Sequence, residues 1–257
     1  RVVSGRLERW LAGAAPREHV RSALGPGRED PGGTVTWRLD AGLPALAAAV
    51  PERPLDPRAS AWRARSASLE GALDGRPEEA RALSEAALAR LVSRAVPSGA
   101  ALFVGNSMPV RDLDRWAASD GPAVPVGVNR GASGIDGLVA TAAGFASGGG
   151  RPVVLVLGDQ SFAHDLGGLA AAATVRADVT VVVVNNGGGH IFDQLPIAAH
   201  PELLARWFTA PHGWSFAAAC AAFGVPHRVV ATGAALREAL ASGIRGPRVV
   251  EALVARD

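Results

Sequence analysis

The sequence has one cysteine, Cys220, and no lysine: each of its 26 basic residues is an arginine. A single thiol excludes an internal disulfide framework, and the opening residues carry no charged, apolar and small-residue succession of a signal peptide, so a reducing cytoplasm is expected. Without lysine there is no phosphate-loop lysine motif, and no G-x-G-x-x-G occurs either, so ATPase and nicotinamide chemistry lose ground. The longest apolar runs, around Val153 and from Val179 to Val184, fall far short of the roughly 20 residues that cross a bilayer, and no membrane span is expected. Aromatic residues make up only 5% of the chain, and its arginines are interleaved with 24 acids for a net charge of +2. That leaves little for base stacking or a basic patch, so nucleic-acid binding is the weaker reading.

What is present is enough for a substantial core: 257 residues with 48% hydrophobic content suit one large domain or two unequal ones. The character of the chain changes near residue 77. Before it, "ALGPGREDPGG" and "AVPERPLDPRAS" break every periodic segment and leave room only for short elements. These are a helix around Leu7 to Ala12, a strand around Thr34 to Arg38 and a helix around Leu43 to Ala49. From Pro77 a helix is expected to open with proline at its first position and two glutamates in its first turn. It continues through Leu83, Leu88 and Val92 and stops at "PSG".

Beyond that helix, short β-branched runs alternate with Ala-rich helical segments. Strands are expected at Ala101 to Val104, Val124 to Val128, Val153 to Leu157, Thr180 to Val184, Arg228 to Val230 and Arg248 to Leu253. Helices are expected at Val110 to Ala117, Leu138 to Ala146, Asp165 to Thr174, Ser215 to Phe223 and Ala234 to Ala241. The continuously apolar strands at Val153 and Thr180 suit parallel strands covered on both faces. The expected fold is therefore α/β, a doubly wound, mostly parallel six-stranded sheet over 77–257, preceded at 1–76 by part of a second α/β domain.

In such a sheet ligands bind beyond the carboxyl ends of the strands. Successive strands here run into "GNSMPVR", "NRGASGIDG", "GDQSFAHD" and "NNGGGHIF", which predicts a site along that one edge. Taken alone, Gly158-Asp159 reads as a helix N-cap and the glycines as a tight turn needing positive φ. Taken together, with one helix between adjacent parallel strands, Asp159 and Asn186 come within a few ångströms of each other. Carboxylate, amide and carbonyl oxygens are hard donors suited to Mg²⁺ beside a diphosphate. N–H groups of the glycine turn and of a helix beginning after Ser161 would meet that diphosphate.

Gly158-Asp159 followed at a distance by Asn186 is similar to the signature of the thiamine-diphosphate-dependent decarboxylase superfamily. The set "LFVGNSMPVRDLD", "NRGASGIDG", "GDQSFAHDLGGL" and "NNGGGHIF" resembles its carboligase branch in menaquinone biosynthesis. The resemblance covers the chain well from Pro77 and only loosely before it, as the latter part of a middle domain. It implies that Asp159, the side chain of Asn186 and the carbonyl of Gly188 hold Mg²⁺ or Mn²⁺. Gly158 and Gln160 would accompany Asp159 in the cofactor loop, with Asn106, Ser107 and Ser161 near the diphosphate or the bound intermediate. Ile135 would support the bent cofactor, and Ile191, Phe192 and Leu195 would wall the reacting atoms.

The family's reaction, decarboxylation of 2-oxoglutarate and addition of the succinyl unit to isochorismate, involves substrates with two carboxylates each. Arg111 and Arg130 are suited to forked carboxylate recognition, and the family uses arginines at both positions. In "SGRLERW" the family has a substrate-contacting lysine where this chain has Arg6. Gly167 stands where members often carry asparagine, and His164 and His190 read as local hydrogen-bonding or rim residues. The glutamate that activates the cofactor belongs to an amino-terminal pyrimidine-binding domain, usually of a second subunit in a homodimer or homotetramer, and no residue of this chain has that role. The chain is thus expected to be a carboxy-terminal part that is inactive alone. Another thiamine-dependent 2-oxoacid decarboxylase, or a non-catalytic binding module, remains the alternative.

Overall fold

In the computed structural model the described residues are 5–24, 30, 32–52, 54, 56–74 and 82–255. They divide into two units, Arg1–Gly75 and Arg76–Asp257. The first contains α1 (Gly5–Ala14), a short parallel pair β1 (Val20–Ser22) and β2 (Trp37–Leu39), α2 (Leu43–Ala49) and α3 (Pro57–Asp74). The 18-residue α3 overturns the expectation of short elements only. Its sequence has no apolar stripe, which hid it, but Ala, Arg, Leu and Glu favour helix and Pro57 fits a first helical position. Asp56 accepts from the N–H of Arg58 at 2.8 Å and caps its start. None of the described residues in this unit is buried, and Trp10, Trp37 and Trp62 are well exposed.

The second unit begins, among its described residues, with Ala82 and Leu83 in isolated bridges to Thr232 and Val254, so they are extended and not helical as expected. The expected first turn at Pro77 lies outside the described residues. Helix α4 (Glu85–Ala95) starts after Ser84, whose side chain accepts from the N–H of Ala87 at 3.2 Å. That bond satisfies one of the unpaired donors of the first turn. Then follow β3 (Ala101–Val104), α5 (Met108–Trp116), β4 (Val126–Val128), α6 (Leu138–Gly149), β5 (Val153–Gly158), α7 (Asp159–His164), α8 (Gly167–Thr174) and β6 (Val179–Asn185). The chain closes with α9 (Pro201–Leu204), α10 (Ala217–Ala222), β7 (His227–Val230), α11 (Gly233–Ala241) and β8 (Arg248–Leu253).

Strands β3 to β8 form one six-stranded sheet in the order β4-β3-β5-β6-β8-β7, with every neighbouring pair parallel. The expected doubly wound sheet is therefore the fold. Alternation along β5 divides the core: Val154 and Val156 pack with α4 and α11, while Val153, Leu155 and Leu157 pack with α6, α8 and α10. Burying each such side chain is worth about 1.5–3 kcal/mol, so these layers hold the sheet rigid beneath its loops. The chain leaves β3 in one direction, to β4, and returns on its other side as β5. This reversal makes the carboxyl ends of β3 and β5 the switch point at which such sheets open a crevice. Among the described residues no helix is long and apolar enough to cross a membrane.

Candidate functional site

Close backbone approach sets the base of the crevice. A Cβ on Gly105 would lie 2.9 Å from Leu157 Cβ and 3.0 Å from the carbonyl oxygen of Val156, so only glycine lets the chain leave β3 flush against β5. Next to it, Ser107 has φ 68° and ψ −130°. A non-glycine residue held at positive φ costs of order 1–3 kcal/mol and marks a loop whose shape its surroundings enforce.

Asn106 is buried and fully engaged. Its Nδ2 donates to the carbonyls of Asn129 at 3.0 Å and Gly134 at 2.7 Å, and its Oδ1 accepts from Arg130 at 3.0 Å. It ties the loop after β3 to the loop after β4 and aims Arg130. Arg111 donates to the carbonyl of Ser107 at 2.6 Å. Burial lowers the pKa of Arg111, and the charges of Arg130 and Arg115 push it further the same way. Two arginines that repel each other, one of them part-buried, form a site that an anion would stabilise. Ile135 is half-buried on the same loop as Arg130.

At the end of β5, Asp159 is 2% exposed. Burial raises its pKa, opposed by the N–H of Gln160, by His212 and by the N–H groups of Gly188 and Gly187. Its Oδ1 accepts from Gln160 at 2.6 Å, and its Oδ2 accepts from Gly187 at 2.9 Å and Gly188 at 3.0 Å. The N–H groups of the glycine turn are thus spent on Asp159 and are not open to a diphosphate, because a buried carboxylate takes the nearest donors. The helix also begins at Asp159 and not after Ser161, which is buried within α7. A break near Asp165 replaces the expected single connecting helix with α7 and α8. Asp165 Oδ2 there accepts from the N–H groups of Val139 at 2.6 Å and Ala140 at 3.1 Å, anchoring the start of α6.

The turn after β6 is shaped by Gly187 at φ +81° and Gly188 at φ +155°, and a Cβ on Gly188 would lie 2.6 Å from the carbonyl oxygen of Thr209. Asn186 Oδ1 accepts from Gly188 N–H at 3.3 Å, while its Nδ2 donates to Glu85 at 2.5 Å. Asp159, Asn186 and Gly188 therefore meet around one turn, as the strand pairing of β5 and β6 requires. Among the described residues no three His, Cys, Asp or Glu side chains gather to hold a metal. A cation here would depend on amide and carbonyl oxygens beside one carboxylate. That donor set suits a hard ion such as Mg²⁺, and the buried charge of Asp159 suits a cation.

Other expected residues are less engaged. Ile191 and Phe192 are half-buried, Phe192 lying edge-on to Phe208 at 5.3 Å, and Leu195 is 47% exposed. Its segment is a string of short 3-10 turns. Gly158 is half-buried, and Gln160 reaches across to the carbonyl of Ala210 at 3.2 Å. His164 and Gly167 are exposed, and His190 pairs with Asp193 at 2.7 Å. Arg6 lies in α1 of the first unit, and its side chain is outside the described set.

Sequence reasoning missed three contributors. His212 is buried with its Nε2 3.1 Å from Asp159 Oδ2, its ring stacked on Trp214 at 4.1 Å. The N–H of Trp214 donates to its Nδ1 at 3.2 Å, which leaves Nε2 on the side of the carboxylate. Glu251, 1% exposed, accepts from Asn185 at 2.7 Å and lies 2.8 Å from His227 Nε2, bracing the root of the glycine turn. Glu85 stands behind Asn186. Each comes from an element remote in sequence, and only the "PHGW" run around His212 hinted at a polar residue near the edge.

Residues 128–252 match the family described as thiamine pyrophosphate enzyme, C-terminal TPP binding domain. Several curated relatives are 2-succinyl-5-enolpyruvyl-6-hydroxy-3-cyclohexene-1-carboxylate synthases. The one from Rubrobacter xylanophilus is 43% identical over 99% of this chain and 45% of its own length. The Salinibacter ruber synthase is 41% identical over 95% of this chain and 42% of its own. That of Sorangium cellulosum is 48% identical over 67% of this chain and 29% of its own. The chain thus spans less than half the length of these relatives. A solved structure described as a thiamin diphosphate-dependent enzyme from Mycobacterium smegmatis shares the fold, with a TM-score of 0.53 and 22% identity over 68% of this chain and 32% of that one.

Proposed function

We propose that this chain is the thiamine-diphosphate and metal-binding part of a carboligase. The enzyme would decarboxylate 2-oxoglutarate and add the succinyl unit to isochorismate, giving the 2-succinyl product for which its relatives are named. The single observation that favours these substrates is the arginine pair. Arg111 and Arg130 are held by Ser107 and Asn106 at the sheet's switch point and repel each other until a carboxylate-rich ligand arrives. Arg6 would be a further carboxylate contact from the first unit, which would be part of a middle domain.

When bound, thiamine diphosphate supplies the carbanion and the electron sink for 2-oxoacid decarboxylation. Asp159, the Oδ1 of Asn186 and the carbonyl of Gly188 would hold Mg²⁺ or Mn²⁺ against the diphosphate. Ser107 and Ser161 would line that site, Ile135 would support the cofactor, and Ile191, Phe192 and Leu195 would form an apolar wall around the reacting atoms. The activating glutamate would come from a pyrimidine-binding domain, in a cytoplasmic homodimer or homotetramer.

Reconstituting this chain with the amino-terminal half of a synthase tests the reading. Product should form with 2-oxoglutarate and not with pyruvate, Asp159→Ala should abolish Mg²⁺-dependent cofactor binding by calorimetry, and Arg111→Ala and Arg130→Ala should raise KM for the dicarboxylates. Equal use of pyruvate would point to another thiamine-dependent decarboxylase.

A further inference from the structure

An asparagine amide has two ends of similar size and opposite hydrogen-bonding sense, and only its oxygen can ligate a divalent cation. Rotation by half a turn about its last bond would present the NH₂ instead, so a ligating asparagine needs a partner that distinguishes the two ends. In this structure that partner is Glu85. Asn186 Nδ2 donates to Glu85 Oε1 at 2.5 Å, while Oδ1 lies on the other side, at 3.3 Å from Gly188 N–H and next to the turn that also holds Asp159. A carboxylate accepts and does not donate. Turning the amide over would set Oδ1 against that carboxylate and the NH₂ toward the cation, and both contacts would be repulsive.

Glu85 is itself held. It opens α4 directly after the cap Ser84 and lines a narrow apolar crevice with Leu88, Val92, Asp112, Leu113 and Val184. Asp112, from α5, shares a side-chain hydrogen bond with it. Burial and then the charge of Glu85 push the Asp112 carboxyl up to about 7. Glu85 is separated from Asn186 by 101 positions and lies outside the matched 128–252 segment, so no motif of the binding domain includes it.

We infer that Glu85 is a positioning residue that orients the amide of Asn186 so that its oxygen meets the metal ion. The inference rests on the metal-site reading above and is tested in the reconstituted holoenzyme with Mn²⁺ as the probe. Free Mn²⁺ is followed by electron paramagnetic resonance at saturating thiamine diphosphate. Outer partners of this kind change metal affinity by about 10–100-fold, and Glu85→Ala should weaken Mn²⁺ binding within that range. Glu85→Gln, which preserves shape and folding and can still accept from Nδ2, should weaken it less.

Inverting the pair supplies a readout that a merely structural residue would not move. Asn186→Asp sets two carboxylates face to face, and adding Glu85→Gln gives the new carboxylate a donor, so the double variant should bind Mn²⁺ more tightly than Asn186→Asp alone. Unchanged Mn²⁺ affinity in Glu85→Ala overturns the inference, even if the melting temperature falls, and so do purely additive effects in the double variant. Asp159→Ala separates the two levels of the argument. If it keeps Mn²⁺ binding, the metal site itself is wrong; if it loses binding while the Glu85 variants do not, only the role of Glu85 fails.

Discussion

At the scale of single residues, the second unit concentrates unusual chemistry where β3, β5 and β6 end. Asp112 carries a testable consequence. It is buried, faces Glu85, Arg115 and Arg111, and has a carboxyl pushed up to about 7 from an ordinary value of 3.8. Between those values the folded chain keeps a proton that the unfolded chain releases, so stability should fall as pH rises through this window, by up to about 1.4 kcal/mol per pH unit. Asp112→Asn should flatten that slope, as seen in thermal melts recorded from pH 4 to 7.5. Gly188 offers a second test, since a side chain there would need φ +155° and would press its Cβ onto Thr209. Gly188→Ala should lower stability by about 1–3 kcal/mol and distort the turn that holds Asp159, read as a lower melting temperature together with weaker cofactor binding by calorimetry.

At the scale of elements, the sequence was legible where the apolar pattern was strong. Strand Ala101–Val104 lies where the apolar run predicted it, and so does Arg248–Leu253, while the β5 and β6 runs extend by only a residue or so into the loops. These strands are covered on both faces, so composition alone marks them. Helix α3 escaped notice because it buries nothing and therefore has no period to detect. The start of α4 was misjudged because Leu83 is apolar at a helical spacing, yet its burial comes from pairing beside Val254. The true start is set by Ser84. Ser84→Ala should cost about 1 kcal/mol in denaturant unfolding and should loosen the turn that carries Glu85. In the core between α7 and α10, Phe162 meets Phe216 edge-on at 4.9 Å. Phe162→Ala should cost about 3–5 kcal/mol, measured the same way.

At the scale of the whole molecule, the two units differ in kind. The second has a core on both faces of its sheet, whereas the described residues of the first bury nothing and leave Trp10, Trp37, Trp62 and Leu43 open to solvent. Residues 76–257 expressed alone should therefore unfold cooperatively, and residues 1–75 alone should not, as followed by circular dichroism on heating.

The sequence by itself determined the parallel sheet, the edge on which its polar loops gather and the local signature residues Asp159, Asn186, Arg111 and Arg130. Strand burial and loop chemistry are written in contiguous residues, so they can be read along the chain. Tertiary structure alone decided what each of these residues faces. It assigned the glycine N–H groups to Asp159, set His212 against the same carboxylate, gave Asn106 the task of aiming Arg130 and brought Glu85 to the back of Asn186. Those partners come from helices and loops far apart in the chain, and no local pattern encodes a contact that exists only after the sheet has closed and burial has forced each polar group to find a partner.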